Sequence, residues 1–112
     1  MSILSNSHER LRLELAIATR VMVMEGLLDY SGHISARAPG QDAYYIQPAA
    51  DPRSDVTPER MILVDFDGNT LEGGPLRPPF ETPIHGEIYR ARPDVHSIVH
   101  SHMELAIWFT RM

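Results

Sequence analysis

Cysteine and lysine are both absent from this chain of 112 residues. Without Cys it holds no disulfide framework, no thiolate metal site and no cysteine nucleophile. Without Lys no amine is available to form a Schiff base with a carbonyl substrate, so carbonyl chemistry would need another electron sink. All ten basic residues are Arg, scattered among 15 acidic ones for a formal net charge of −5. An acidic chain with no basic stripe is a poor partner for nucleic acid or for an anionic membrane. It also lacks the run of about 18 apolar residues that a membrane span needs. No basic region followed by an apolar one stands near Met1, so no signal peptide is read and the cytoplasm is the expected compartment.

What remains has the length of one domain, with 43% apolar residues, nine Pro and seven Gly, which fits a globular α/β or α+β chain. Asn6 to Glu25 reads as a first helix, with Asn6 as cap, Leu11, Leu15, Ala18 and Met22 at helical spacing, and Gly26 to close it. His33 to Arg37 alternates like a strand, and a Pro39-Gly40 turn returns the chain into Ala43 to Ile46. Pro48 to Pro58 reads as a polar loop, and Thr57-Pro58 opens a short helical turn. Ile62 to Asp65 and Thr70 to Glu72 flank Asp67-Gly68-Asn69, a second hairpin signal. Thr82-Pro83 opens a second helix ending near Arg92-Pro93, with Ile84, Ile88 and Ala91 expected on its inner face. Val95 to His102 reads as a strand. Met103 to Met112 begins a third helix, apolar on most sides, which suggests either the front part of a longer protein or a helix packed on a partner chain.

The six histidines carry the chemical signal. His100 and His102 are two apart on a strand, so both imidazoles project from one face and can reach a single ion; the plainer alternative is two solvent-facing side chains. Glu81 and His85 are four apart at a helix start and share a face, although an acid there is also a simple partner of the helix dipole. The tight Arg92-Pro93-Asp94-Val95 turn between helix and strand can bring the two pairs toward one cavity. His8 and His96 read as surface residues, and Arg53 as a solvated loop charge.

Leu27 to Arg37, Glu81-x-x-x-His85 with Ile88-Tyr89, Arg92-Pro93-Asp94-Val95 and Ile98-Val99-His100-Ser101-His102, in that order and spacing, resemble the class II aldolase/adducin family. The resemblance implies a three-layer αβα domain with a central, largely antiparallel sheet, of which residues 1–112 form the N-terminal part. It implies a homotetramer acting on a small molecule. It also implies a divalent ion on His100 and His102, zinc before manganese or cobalt, with a third protein ligand beyond Met112. Glu81 is the implied acid/base, and the ion would stabilise an enediolate as a carbon–carbon bond breaks, which suits a chain without Lys.

Sugar-phosphate aldolases of the family hold phosphate with an Asn in a Gly-Asn-x-Ser segment, a Thr-Gly pair, and a Ser-Ser pair before the catalytic Glu. The matching positions here are His33, Ala49-Ala50 and Pro79-Phe80. Small donors have given way to an imidazole, methyl groups and a benzyl, which predicts a substrate without phosphate. Ser31, His33, Phe80 and His85 are the substrate-binding candidates, with plain packing as the alternative for His33 and Phe80. The expected activity is decarboxylation or aldol cleavage of a hydroxy or oxo acid. The rivals are a sugar-phosphate aldolase or epimerase, and a non-catalytic interaction domain like the adducin head.

Overall fold

The computed structural model describes residues 3–26, 28, 32–80 and 82–100, the first four of these by backbone alone. Helix α1 spans Ile3–Met24. Strands β1 (His33–Arg37), β2 (Ala43–Ile46), β3 (Ile62–Asp65) and β4 (Thr70–Glu72) follow, then helix α2 (Thr82–Ala91) and strand β5 (Ser97–His100). The strands form one sheet in the order β4-β3-β2-β1-β5, and every pair is antiparallel.

Both expected hairpins form. Gly40 takes φ of 69° and Gly68 φ of 94°, a region that Cβ-bearing residues avoid and these turns require. In the second turn the Asp65 carboxylate accepts the backbone N–H of Asp67 and Asn69 and the Asn69 amide, which holds it below the usual carboxylate pKa. Pro48 to Pro58 is more ordered than a polar loop, because Arg53–Asp55 closes a 3-10 turn against α1; the turn expected after Thr57-Pro58 is Pro58–Arg60.

Strand alternation divides the core in two. On one face Ile34, Ala36, Ala43, Tyr45 and Leu63 pack with Leu15 and Ala16 of α1. On the other, Tyr44, Ile46, Ile62 and Val64 pack with Tyr89 of α2. In α1 the buried positions are Leu15, Ala16 and Thr19, whereas Ala18, expected inside, is exposed. A second apolar stripe, Leu13, Ile17, Val21 and Met24, faces outward, so apolar residues mark two sides of this helix.

In α2 the expected inner face is overturned. Ile84 and Ile88 are 46% and 36% exposed and Ala91 is exposed, while Thr82, His85, Gly86 and Tyr89 are buried. The cause lies across the interface: β1 presents His33, Ser35 and Arg37 on that side, and polar groups removed from water need hydrogen-bond partners that isoleucine lacks. Gly86 permits the approach, since a Cβ there would stand 2.5 Å from the Phe66 carbonyl oxygen. Arg37 then closes the far end. Its guanidinium donates to the carbonyls of Tyr89 (2.8 Å), Arg92 (3.1 Å) and Val95 (2.9 Å), and lies over the Tyr89 and Phe66 rings at 4.9 and 5.3 Å. A cation among the last carbonyls of a helix also meets the negative end of its dipole.

Candidate active site

The register of β1 and β5 sets the site. His33 pairs with His100, so both rings project from the α2 face and stack with centroids 4.9 Å apart and planes 22° from parallel. Gly32 keeps this corner tight, because a Cβ there would meet the His100 carbonyl oxygen at 3.1 Å. From the far side Arg53 donates through Nε to the Gly32 carbonyl at 2.6 Å, so it is tied to the start of β1 and is no freely solvated loop charge.

α2 contributes the next layer. His85 Nε2 and His33 Nδ1 share a hydrogen bond of 2.8 Å, His85 Nδ1 and Ser35 Oγ one of 2.5 Å, and Ser35 Oγ and Tyr89 Oη one of 2.8 Å. The spacing explains the assembly. His33 and Ser35 are two apart on a strand and His85 and Tyr89 four apart on a helix, so each pair shares a face. All four residues are at most 1% exposed. Tyr44 donates to the Thr82 carbonyl at 3.1 Å and anchors the start of α2 over the sheet.

Burial, reinforced by His33 and His100 nearby, pushes the His85 pKa down to about 3, so this imidazole is neutral across the physiological range. Burial likewise raises the Tyr89 phenol well above its usual value, so it stays protonated. An uncharged His85 and an uncharged Tyr89 thus stand in the hydrogen-bonded chain behind His100.

Of the candidate residues, the structure brings together His33, His85 and His100. Phe80 is 97% exposed at the turn before α2 and packs on no core. Ser31, Glu81 and His102 lie outside the described residues, as does the expected helix from Met103. His96 is exposed as expected, but His8 is half-buried and its Nδ1 hydrogen-bonds Tyr45 Oη at 2.7 Å. Among the described residues no group of three or more His, Asp or Glu side chains is placed to hold a metal ion. Ser35 and Tyr89 were not among the candidates; their two- and four-residue spacing from His33 and His85 is the signal that points to them.

Residues 13–112 match the model of the class II aldolase and adducin N-terminal domain. The chain belongs to this family. It is 36% identical over 105 residues to a 3,4-dihydroxyphthalate decarboxylase of Arthrobacter keyseri, covering 86% of this chain and 42% of that protein. It is 32% identical over 80 residues to a probable L-ribulose-5-phosphate 4-epimerase, UlaF, of Mycoplasma pneumoniae, covering 71% of this chain and 33% of that one. Among solved structures, an L-fuculose 1-phosphate aldolase from Glaciozyma antarctica superposes with a TM-score of 0.84 at 26% identity, over 97% of this chain and 46% of that one. The chain therefore spans less than half the length of each of these relatives, whose names describe three different reactions. No helix among the described residues is long and apolar enough to cross a membrane.

Proposed function

We propose that this chain is the N-terminal part of a class II aldolase-type lyase that cleaves a carbon–carbon bond in a non-phosphorylated hydroxy or oxo acid, by decarboxylation or aldol cleavage. The observation that carries the choice of substrate is the seat of His33. At the position where sugar-phosphate members of the family place a small amide donor, a buried imidazole is wedged between the rings of His85 and His100, with centroids 4.7 and 4.9 Å away. A dianionic phosphate needs several convergent donors, and this corner is filled by rings. The similarity to a decarboxylase of an aromatic dihydroxy acid over most of the chain supports the same direction.

The residues fit a cation in part. His100 offers a half-buried imidazole, a donor suited to zinc, at the end of β5. The two-residue spacing of His102 in the sequence is what suggests it as a second ligand. His85 is no ligand, because both of its ring nitrogens are hydrogen-bonded inside the protein. In the proposed site His100 and His102 would hold a divalent ion, zinc, manganese or cobalt, together with a third ligand that the family resemblance implies. When bound, such an ion supplies Lewis acidity toward negative charge on a substrate oxygen.

The chain's own residues do the rest. His33 donates to a substrate oxygen, Ser31 contributes a hydroxyl, and Phe80 offers a ring face to a flat acid. In decarboxylation the bond to the carboxyl carbon breaks, carbon dioxide leaves, and its electron pair stays on the substrate. Glu81, as acid, then returns a proton to that carbon. In aldol cleavage Glu81 takes the hydroxyl proton as the bond breaks and the carbanion is reprotonated afterward. We assign the working unit to a three-layer αβα domain assembled as a homotetramer, as the family resemblance implies, with the cytoplasm as the compartment expected from the sequence near Met1.

Carbon dioxide release and carbonyl product are measured over hydroxylated aromatic acids, hydroxy acids and oxo acids, beside L-ribulose 5-phosphate and L-fuculose 1-phosphate. The expected result is metal-dependent turnover confined to the free acids. Turnover of the phosphorylated sugars alone overturns the substrate assignment, and no turnover of any compound in metal-loaded protein favours the non-catalytic reading.

A further inference from the structure

The protons of the chain Tyr89–Ser35–His85–His33 can be counted. Tyr89 is fully buried, and Ser35 Oγ is the hydrogen-bond partner of its hydroxyl. Were Ser35 the donor, the phenolic proton would be stranded in the interior without an acceptor, so Tyr89 donates and Ser35 accepts. Ser35 then has one proton to place, and its remaining partner is His85 Nδ1. That nitrogen must offer its lone pair, because an Nδ1–H would leave the serine proton with nowhere to go. A neutral His85 therefore carries its single proton on Nε2 and donates it to His33 Nδ1. His33 accepts at Nδ1, so its own proton stands on Nε2.

We propose that this one-way chain of hydrogen bonds locks His33 as the neutral Nε2–H tautomer, which makes His33 a fixed hydrogen-bond donor beside His100 and makes Tyr89, Ser35 and His85 its positioning residues. Two consequences follow from the proton count. With Nδ1 accepting and Nε2 protonated, His33 has no lone pair to give, so it stays outside any ligand set despite its stacking on His100. The second is that His33 meets a substrate with a donor in a fixed direction, which suits a carboxylate or phenolate oxygen and cannot accept a hydrogen bond from a substrate hydroxyl at that nitrogen. This use toward substrate rests on the proposed function; the tautomer does not.

The test is long-range proton–nitrogen correlation NMR of the protein labelled with 15N-histidine, at neutral pH and without turnover, with His33→Gln and His85→Gln used for assignment. The expected spectrum shows a pyrrole-type Nε2 and a pyridine-type Nδ1 in both rings. An Nδ1–H tautomer in either ring, or a doubly protonated His33, overturns the proposal. Ser35→Ala removes the hydroxyl that sets the direction and is expected to give exchange between tautomers at both rings, with Ser35→Thr restoring the single form. Tyr89→Phe leaves Ser35 only His85 to donate to, and is expected to keep the parent pattern. An unchanged spectrum in Ser35→Ala or a reversed one in Tyr89→Phe overturns the proposal, and if Ser35→Ala does not fold, the parent and Tyr89→Phe spectra decide. Correct tautomers in a protein that turns over none of the acids would sink the substrate reading and leave the relay standing.

Discussion

Acid should weaken this fold through His85. His85 is fully buried, with its pKa pushed down to about 3 from the ordinary 6.5, chiefly by burial. An unfolded chain accepts a proton at this imidazole near pH 6.5, and the folded protein refuses it. A depressed pKa means that the stability is fully present above 6.5 and is lost as pH falls toward 3. The slope is about 1.4 kcal/mol per pH unit, so moving from pH 7.5 to 5.0 should remove roughly 2 kcal/mol through this group alone. For a domain with about 5–15 kcal/mol in hand that loss is readily measured. Urea unfolding followed by circular dichroism, in EDTA so that no metal linkage enters, gives the parent profile. His85→Gln, which can still bridge Ser35 and His33, removes the titration. The difference between the two proteins' losses on acidification should be about 2 kcal/mol by this linkage. Equal pH dependence in parent and variant would refute the reasoning.

Other perturbations follow from packing. Gly86→Ala should destabilise by about 1–3 kcal/mol in urea, because its Cβ would press on the Phe66 carbonyl oxygen at 2.5 Å, outweighing the helix preference of Ala of about 1 kcal/mol. A stabilised variant would mean that α2 does not approach the β3–β4 turn as described. Arg37→Met, which surrenders three carbonyl partners at the end of α2, should cost roughly 2–3 kcal/mol by the same assay. Phe80→Ala should leave the unfolding midpoint unchanged, since the ring is 97% exposed, while raising KM for an aromatic acid. An unaltered KM would remove Phe80 from the substrate wall.

The hairpins were readable because their turns demand particular residues: Gly40 and Gly68 sit where φ is positive, and the flanking strands alternate. The seat of α2 was not readable from hydrophobic periodicity. That rule sends Ile84 and Ile88 inward, yet the sheet face below carries His33 and Ser35, whose polar atoms needed His85 and Tyr89 more than the core needed isoleucine. His8 likewise reads as a surface residue until α1 is laid across Tyr45. The stacking of His33 on His100 depends on the register between β1 and β5, 67 residues apart in the chain, which no local pattern encodes. The ligand role proposed for His100, and the roles proposed for Glu81 and His102, come from spacing and family resemblance.

The most direct test of the account is metal content. Protein brought to equilibrium by dialysis against buffered free zinc, so that a site short of its third ligand is not stripped, is analysed by mass spectrometry for metal above the dialysate level, together with His100→Ala whose fold is checked by circular dichroism. The account predicts about one divalent ion per chain in the parent and its loss in the folded variant. A parent that retains no ion, or a variant that binds it as well as the parent does, would contradict the claim that these histidines form a metal-dependent lyase site.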